Sequence, residues 1–223
     1  MSRYCFYIDG FNVYHALNDF FCYKPDQPRI PENRCYVYHK YKWLNYYKLA
    51  ESVIRKRDVI AGVFFFTTFA KWKWDQDKGI AFRHKQYVKA LQTEKIEVIQ
   101  GRFMEREERC PKCGEYYPDH VEKRTDVNIA LKLLGDAIDD LYDKALIISA
   151  DSDLLPTISA VHKYAPGKQV GVMFPIRRTS FDLRQYADFR LKMSENLLKK
   201  CQFPDKIELP DKILKRPDSY SWL

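Results

Sequence analysis

Four aspartates stand where strands end or helices begin: Asp9, Asp126, Asp151 and Asp153. Asp9 closes the apolar run Tyr4-Cys5-Phe6-Tyr7-Ile8 and is followed by Gly10-Phe11-Asn12. Asp151 and Asp153 follow Ala145-Leu146-Ile147-Ile148-Ser149-Ala150 and flank Ser152. In a parallel α/β sheet the ligand crevice lies outside the carboxyl ends of the strands, so both acidic strand ends can face one crevice. Carboxylates gathered in one place repel each other unless a cation joins them, and hard oxygen ligands suit Mg²⁺ or Mn²⁺. Such an ion activates water and stabilises charge on a phosphoryl oxygen. The chemistry these residues fit is metal-assisted cleavage of phosphodiesters.

Each motif also has a structural role open to it. Asp9 alone could cap the helix that follows, with Gly10 easing a sharp turn from strand to helix. Two acids at Asp151 and Asp153, flanked by the hydroxyls of Ser149 and Ser152, exceed what one helix cap requires. Thr125 reads as an N-cap, which places Asp126 in a first helical turn where its charge suits the helix dipole. Lys123 and Arg124 are either solvated or hold substrate phosphates. Arg83 and Gln86 lie three apart on one helix face and reach a phosphate or base edge, or brace a loop. Together with Ser149 and Ser152 they form the expected substrate-binding set.

The elements that must carry these residues follow from hydrophobic period. Strands are expected at 4–8, 59–68, 96–103, 144–149, 169–174 and 188–191. Helices are expected at 11–20, 43–57, 79–93, from Thr125 through Leu141, 154–164, 180–184 and 195–199. Residues 22–41 read as a long loop, and 104–121 as a charged insertion. Strands alternating with helices specify an α/β fold with a mostly parallel sheet and helices on both faces. At 46% hydrophobic, 223 residues suffice for one large domain. The predicted organisation is a domain over 1–203 and a C-terminal surface tail over 204–223.

The net charge is +8 although the candidate site is acidic, so a basic surface must lie outside it. That combination suits a polyanion such as RNA or DNA. No apolar run is long enough to span a membrane, and Met1-Ser2-Arg3 leads straight into a strand instead of a signal peptide, so a cytoplasmic location is expected. There is no Gly-x-Ser-x-Gly and no P-loop, which weighs against serine hydrolases and NTPases. His15, His84 and His162 show no triad partners and read as surface or core residues. Lys71-Trp72-Lys73-Trp74 could grip single strands by charge and stacking, or pack on the body.

Cys110-Pro111-Lys112-Cys113-Gly114 is half of a zinc-ribbon-like knuckle. Structural zinc needs four ligands. His120, the Cys35/His39 pair, or a second chain in a homodimer could supply the rest. A hairpin without metal is the competing reading, and redox chemistry is disfavoured because a thioredoxin-type pair opens a helix, whereas this pair lies in a polar insert.

Asp9-Gly10-Phe11-Asn12, Lys123-x-Thr125-Asp126-Val127 and Ser149-x-Asp151-Ser152-Asp153-Leu154, in this order, resemble the NYN domain family, part of the PIN-like nuclease superfamily. The resemblance covers nearly the whole chain and extends to Arg83-x-x-Gln86-Tyr87, Gly101-x-Phe103 and the Cys-x-x-Cys insert of bacterial members. Ala150 stands where members commonly carry Gly. The resemblance implies a Rossmann-like, PIN-like three-layer fold, an Mg²⁺ or Mn²⁺ site and endonucleolytic RNA cleavage. It matches Asp9, Asn12, Asp126, Asp151 and Asp153 to the functional positions. A catalytically idle RNA-binding module, or a metal-dependent hydrolase of a small metabolite, are the competing readings.

Overall fold

The computed structural model describes residues 1–18, 39–69 and 78–220. Its centre is a six-stranded sheet in the order β3-β2-β1-β6-β7-β8, every neighbouring pair parallel. The strands are β1 (Arg3–Asp9), β2 (Val59–Thr67), β3 (Glu97–Gln100), β6 (Lys144–Ile148), β7 (Gln169–Phe174) and β8 (Phe189–Lys192). Successive side chains of a strand point to opposite faces, and both faces here are covered. Phe6 and Ile8 join a core with Val13 and Leu17 of α1 (Gly10–Asn18), Leu49 of α2 (Tyr46–Val53) and Leu91 of α3 (Lys78–Gln92). Cys5 and Tyr7 join the other core, with Ile129 and Leu133 of α4 (Thr125–Ile138) and Ile158 and Val161 of α5 (Leu155–Tyr164). Burial on both faces is why β1 and β6 read as continuous apolar runs. The three-layer α/β architecture is the expected one.

Two polar ties fix the frame around β1. At its start, the Arg3 guanidinium meets Asp143 at 2.7 Å and Asp140 at 2.9 Å, ahead of β6. The Arg3 cation holds the Asp143 carboxyl down to about 2. In the middle of β1, the Tyr7 hydroxyl donates to Asp136 Oδ2 at 2.7 Å, and Lys132 Nζ lies 2.7 Å from Asp136 Oδ1. This couples α4 to the central strand.

Several local expectations are corrected. The strand expected over 96–103 divides at Gly101. β3 ends at Gln100, and β4 (Arg102–Arg109) leaves the sheet to pair antiparallel with β5 (Tyr116–Lys123). The charged insertion is therefore a two-stranded ribbon. A β-carbon at Gly101 would lie 2.4 Å from Thr68 Oγ1 and 2.7 Å from Thr125 Oγ1, so only glycine lets the chain cross there. The helix expected over 43–57 is confined to α2, where the Asn45 side chain accepts from Lys48 N at 2.9 Å and starts it late. The segment after 203 is more than a surface tail. β9 (Lys206–Glu208) and β10 (Ile213–Lys215) form a hairpin, and Leu214 and Tyr220 enter the core beside Phe203. Its apolar residues were diluted among charges and prolines, which hid their burial in the sequence. After β8 come α7 (Glu195–Lys200) and, before it, α6 (Phe181–Tyr186) between β7 and β8.

Most of the loop expected over 22–41, together with Cys35 and Lys71-Trp72-Lys73-Trp74, lies outside the described residues. Among the described residues no helix is long and apolar enough to cross a membrane.

The turn from β1 into α1 needs glycine for closeness, not for an unusual backbone angle. Gly10 is not among the glycines with positive φ, but a β-carbon there would sit 2.6 Å from the carbonyl oxygen of Phe66 and 2.6 Å from the Phe65 ring. Alanine is the better helix former by about 1 kcal/mol, yet overpacking typically costs about 1–3 kcal/mol. Gly10→Ala is therefore expected to lower the urea midpoint at unchanged slope. A midpoint equal to or above the parent's would contradict the close approach.

Candidate metal centre

The strand order reverses between β1 and β6. One half runs outward as β1-β2-β3 and the other as β6-β7-β8, and ligand crevices form outside the carboxyl ends at such a switch point. Asp9, the last residue of β1, is buried there. The loop after β6 brings Asp151, and the first turn of α4 brings Asp126. Each of these three residues offers a carboxylate oxygen within 4.8 Å of the other two.

A hydrogen-bond lattice holds the two strand ends together. The buried Ser149 hydroxyl donates to Asp9 Oδ2 at 2.9 Å and accepts from Asp151 N at 3.0 Å. Asn12 N donates to Asp9 Oδ1 at 2.9 Å, and Asn12 Oδ1 accepts from Ala150 N at 3.1 Å. Asp151 Oδ1 accepts from Asp153 N at 3.0 Å and caps a short 3-10 turn at Ser152–Leu154. One aspartate thus serves as cap and as a member of the trio.

The electrostatics call for a cation. Burial pushes the Asp9 carboxyl up to about 6; bonds from Asn12 and Ser149 hold it down in part, and the charges of Asp126 and Glu122 raise it further. Asp126 is also raised, first by partial burial and then by Asp151 and Asp153. Three converging hard oxygen donors, with the ionisation of Asp9 and Asp126 opposed by their surroundings, fit a divalent cation such as Mg²⁺ or Mn²⁺.

Not every expected site residue joins the trio. Asp153 is exposed and acts on Asp126 through its charge. Ser149 is fully buried, so it positions Asp9 and cannot serve as the expected substrate contact. Ser152, Lys123 and Arg124 are exposed around the site. Arg83 lines the adjoining pocket, whereas Gln86, partly buried on the same helix, is not part of its lining. Thr125 is the first helical residue instead of the cap. Arg124 takes the cap position with φ 79°, and the Thr125 hydroxyl donates to Glu122.

Glu122 was missed. The ribbon register places it opposite Phe103, at the pocket wall, where Thr68 Oγ1 donates to its Oε1 at 3.0 Å. Burial raises its carboxyl, the Thr125 and Thr68 hydroxyls offset this, and Asp126 adds to the rise. The only available signal was its place four residues before Asp126.

Two histidines are better placed than expected. His15 and His84 line the pocket. His84 bonds Thr67 Oγ1 at 3.0 Å, and burial pulls its imidazole down to about 4, so it is neutral at pH 7. His162 meets Asp188 Oδ2 at 2.9 Å, away from the site. His120 also lines the pocket, on β5 opposite Glu105, whereas Cys110 and Cys113 sit past the far end of the ribbon. Cys110 lies five positions beyond Glu105, the partner of His120, about 17 Å at the usual rise, so His120 does not complete a zinc site with the pair. The knuckle itself is shaped for a thiolate, since backbone N–H groups of Cys113 and Lys112 pull the Cys110 thiol downward. Among the described residues no third ligand joins it.

The NYN domain matches residues 5–194. The chain belongs to the NYN domain family. A curated relative, 6-hydroxy-3-succinoylpyridine 3-monooxygenase HspA of Pseudomonas putida, is 26% identical over 140 residues, 55% of this chain and 45% of that one. The chain therefore spans less than half the length of that relative. A solved structure, a protein of unknown function VPA0982 from Vibrio parahaemolyticus, superposes with a TM-score of 0.54 at 17% identity. It covers 87% of this chain and 94% of its own, and shows a shared fold alone.

A carboxyl raised in the fold binds its proton more tightly folded than unfolded. Asp9 therefore costs the metal-free protein stability progressively as pH rises from 3.8 to about 6. A bound cation reverses this. Mn²⁺ at a hundredfold excess over its dissociation constant should stabilise the fold by about 2.7 kcal/mol at pH 7. The gain should shrink as pH falls below about 6, and Asp126→Asn should reduce it at every pH. Equal thermal shifts in parent and variant, or a gain independent of pH, would remove the metal centre.

Proposed function

We propose that the protein is a metal-dependent endoribonuclease that hydrolyses RNA phosphodiester bonds. The observation that carries this is the trio Asp9, Asp126 and Asp151 at the switch point of an NYN domain, in a chain whose net charge is +8. An ion held by the three carboxylates would supply Lewis acidity and a lowered pKa for water. The protein's own residues then orient the reaction. Asn12 spends its amide oxygen on Ala150, so it keeps the two acidic strand ends in register and leaves its amide nitrogen for water or phosphate. Asp153, exposed two residues after Asp151, would accept a hydrogen bond from attacking water. Lys123, Arg124 and Arg83 supply cations for the flanking phosphates, with Ser152 beside them. With water as nucleophile the 2′-hydroxyl is not required, so DNA belongs in the same assay.

A second reading is favoured by the pocket of about 560 Å³ that adjoins the trio. Its size suits a small molecule, and the Pseudomonas putida relative is named for a substituted pyridine. On that reading the same carboxylates would hold an ion for the turnover of a small metabolite. An idle binding module has less in its favour, because a module that only binds a polyanion gains nothing from three converging carboxylates, one of them buried.

Cleavage of single-stranded and folded RNA and DNA, with Mn²⁺ and with chelator, decides between these. Asp9→Asn and Asp151→Asn are each expected to lower the rate by about a hundredfold or more, since changes merely behind a metal ligand commonly cost 10–100-fold. Chelator should abolish it. Full turnover by both variants in chelator would overturn the assignment.

A further inference from the structure

The pocket beside the trio continues into the layer formed by α1, β2 and α3, on the sheet face opposite α4. Its deep part is aromatic. Tyr46 and Phe65 have ring centroids 5.3 Å apart, and Phe65 meets Tyr87 edge to face at 6.0 Å. The phenols there are already committed. Tyr87 donates to the Leu44 carbonyl at 2.7 Å, Tyr46 bonds Tyr87, and burial pushes both phenols up. Tyr46, Phe65 and Tyr87 therefore offer ring faces and edges, with Thr67, Arg83 and His84 in the same lining. Nearer the trio, Phe11 and Phe103 meet at 5.9 Å and 89°. Phe11 leads directly from the Asp9-Gly10 turn, and Phe103 faces Glu122 in the ribbon register. One continuous space thus joins a site for a cation to a site for a flat apolar group.

We propose that this pocket takes one planar heteroaromatic ring, and that an anionic arm on the ring stays at the trio, whose carboxylates would hold a divalent ion that offsets the charge of the arm. Aromatic walls favour a flat π-surface, and the volume is in the range of small-ligand sites. On the nuclease reading, the ring is a nucleobase turned out of its stack and the arm is a phosphate. That identity rests on the nuclease reading, whereas the ring site does not. The same chemistry describes a pyridine carrying a carboxylate.

Equilibrium binding in Mn²⁺ tests this with molecules that have no phosphodiester to cleave: uridine and adenosine 5′-monophosphate, ribose 5-phosphate, and 6-hydroxynicotinate. A nucleotide is expected to bind at least about fivefold more tightly than ribose 5-phosphate, the lower end of what one stacked base contributes. Ile80→Trp, which fills the pocket from α3, should erase that gain while the Mn²⁺ thermal shift persists. If Ile80→Trp shows no Mn²⁺ shift, Phe103→Ala carries the test: it should weaken the nucleotide severalfold and leave ribose 5-phosphate unchanged. Equal affinities for nucleotide and ribose 5-phosphate, with no gain for the pyridine, would overturn the ring site. So would a nucleotide affinity indifferent to Phe103→Ala. A ring-dependent gain for 6-hydroxynicotinate alone would keep the ring site and remove the nucleobase.

Discussion

The site depends on one short lattice, in which Ser149 and Asn12 join the ends of β1 and β6. It works against the repulsion between the buried Asp9 and the nearby Asp151, like charges in a partly dry crevice. Ser149 bonds Asp9 and Asp151 N at once, and Asn12 bonds Asp9 and Ala150 N. Each residue spans both strand ends. The parallel register of β1 on β6, from Tyr4 opposite Lys144 to Ile8 opposite Ile148, sets the two ends level so that these bonds can form. The upward shift of Asp9 records the residual cost of the arrangement.

Asp126 arrives from a different layer, and α4 is tied down at both of its ends. Near its start, Thr125 bonds Glu122 of the ribbon, which also accepts from Thr68 after β2. Near its end, Asp136 accepts from Tyr7 in the middle of β1. Thus the strand that ends in Asp9 also anchors the helix that begins beside Asp126. Gly101 makes the first tie possible, because any side chain there would displace the two threonines. The NYN fold and its carboxylate trio are in this sense one construction.

What the sequence revealed follows from the range of the forces involved. β1 and β6 were legible because both faces of a central parallel strand are buried, leaving a continuous apolar run, and Asp9 and Asp151 were legible as the acids that end those runs. Asp126 was legible as a first-turn residue, although Thr125 gave up the capping role to bond Glu122. Glu122 was not legible, since its place depends on the register of a ribbon that pairs residues 102–109 with 116–123. Ser149 looked like a substrate contact because burial cannot be read from a hydroxyl at a strand end. The pocket was hidden for another reason. Tyr46, Phe65 and Tyr87 have the composition of a core, and the floor of an aromatic pocket and the interior of a protein are spelled with the same residues. Leu214 and Tyr220 were obscured by the charged segment around them.

The central claim is that Asp9, Asp126 and Asp151 together hold one divalent ion. Diffraction from crystals soaked in Mn²⁺, with data collected for the manganese anomalous signal, measures this directly. The account predicts one strong peak within about 2.0–2.4 Å of an oxygen from each of the three carboxylates, with the Ser149 and Asn12 bonds to Asp9 retained. A map without a peak among the three, or with manganese held only by Asp153 at the rim, would contradict it.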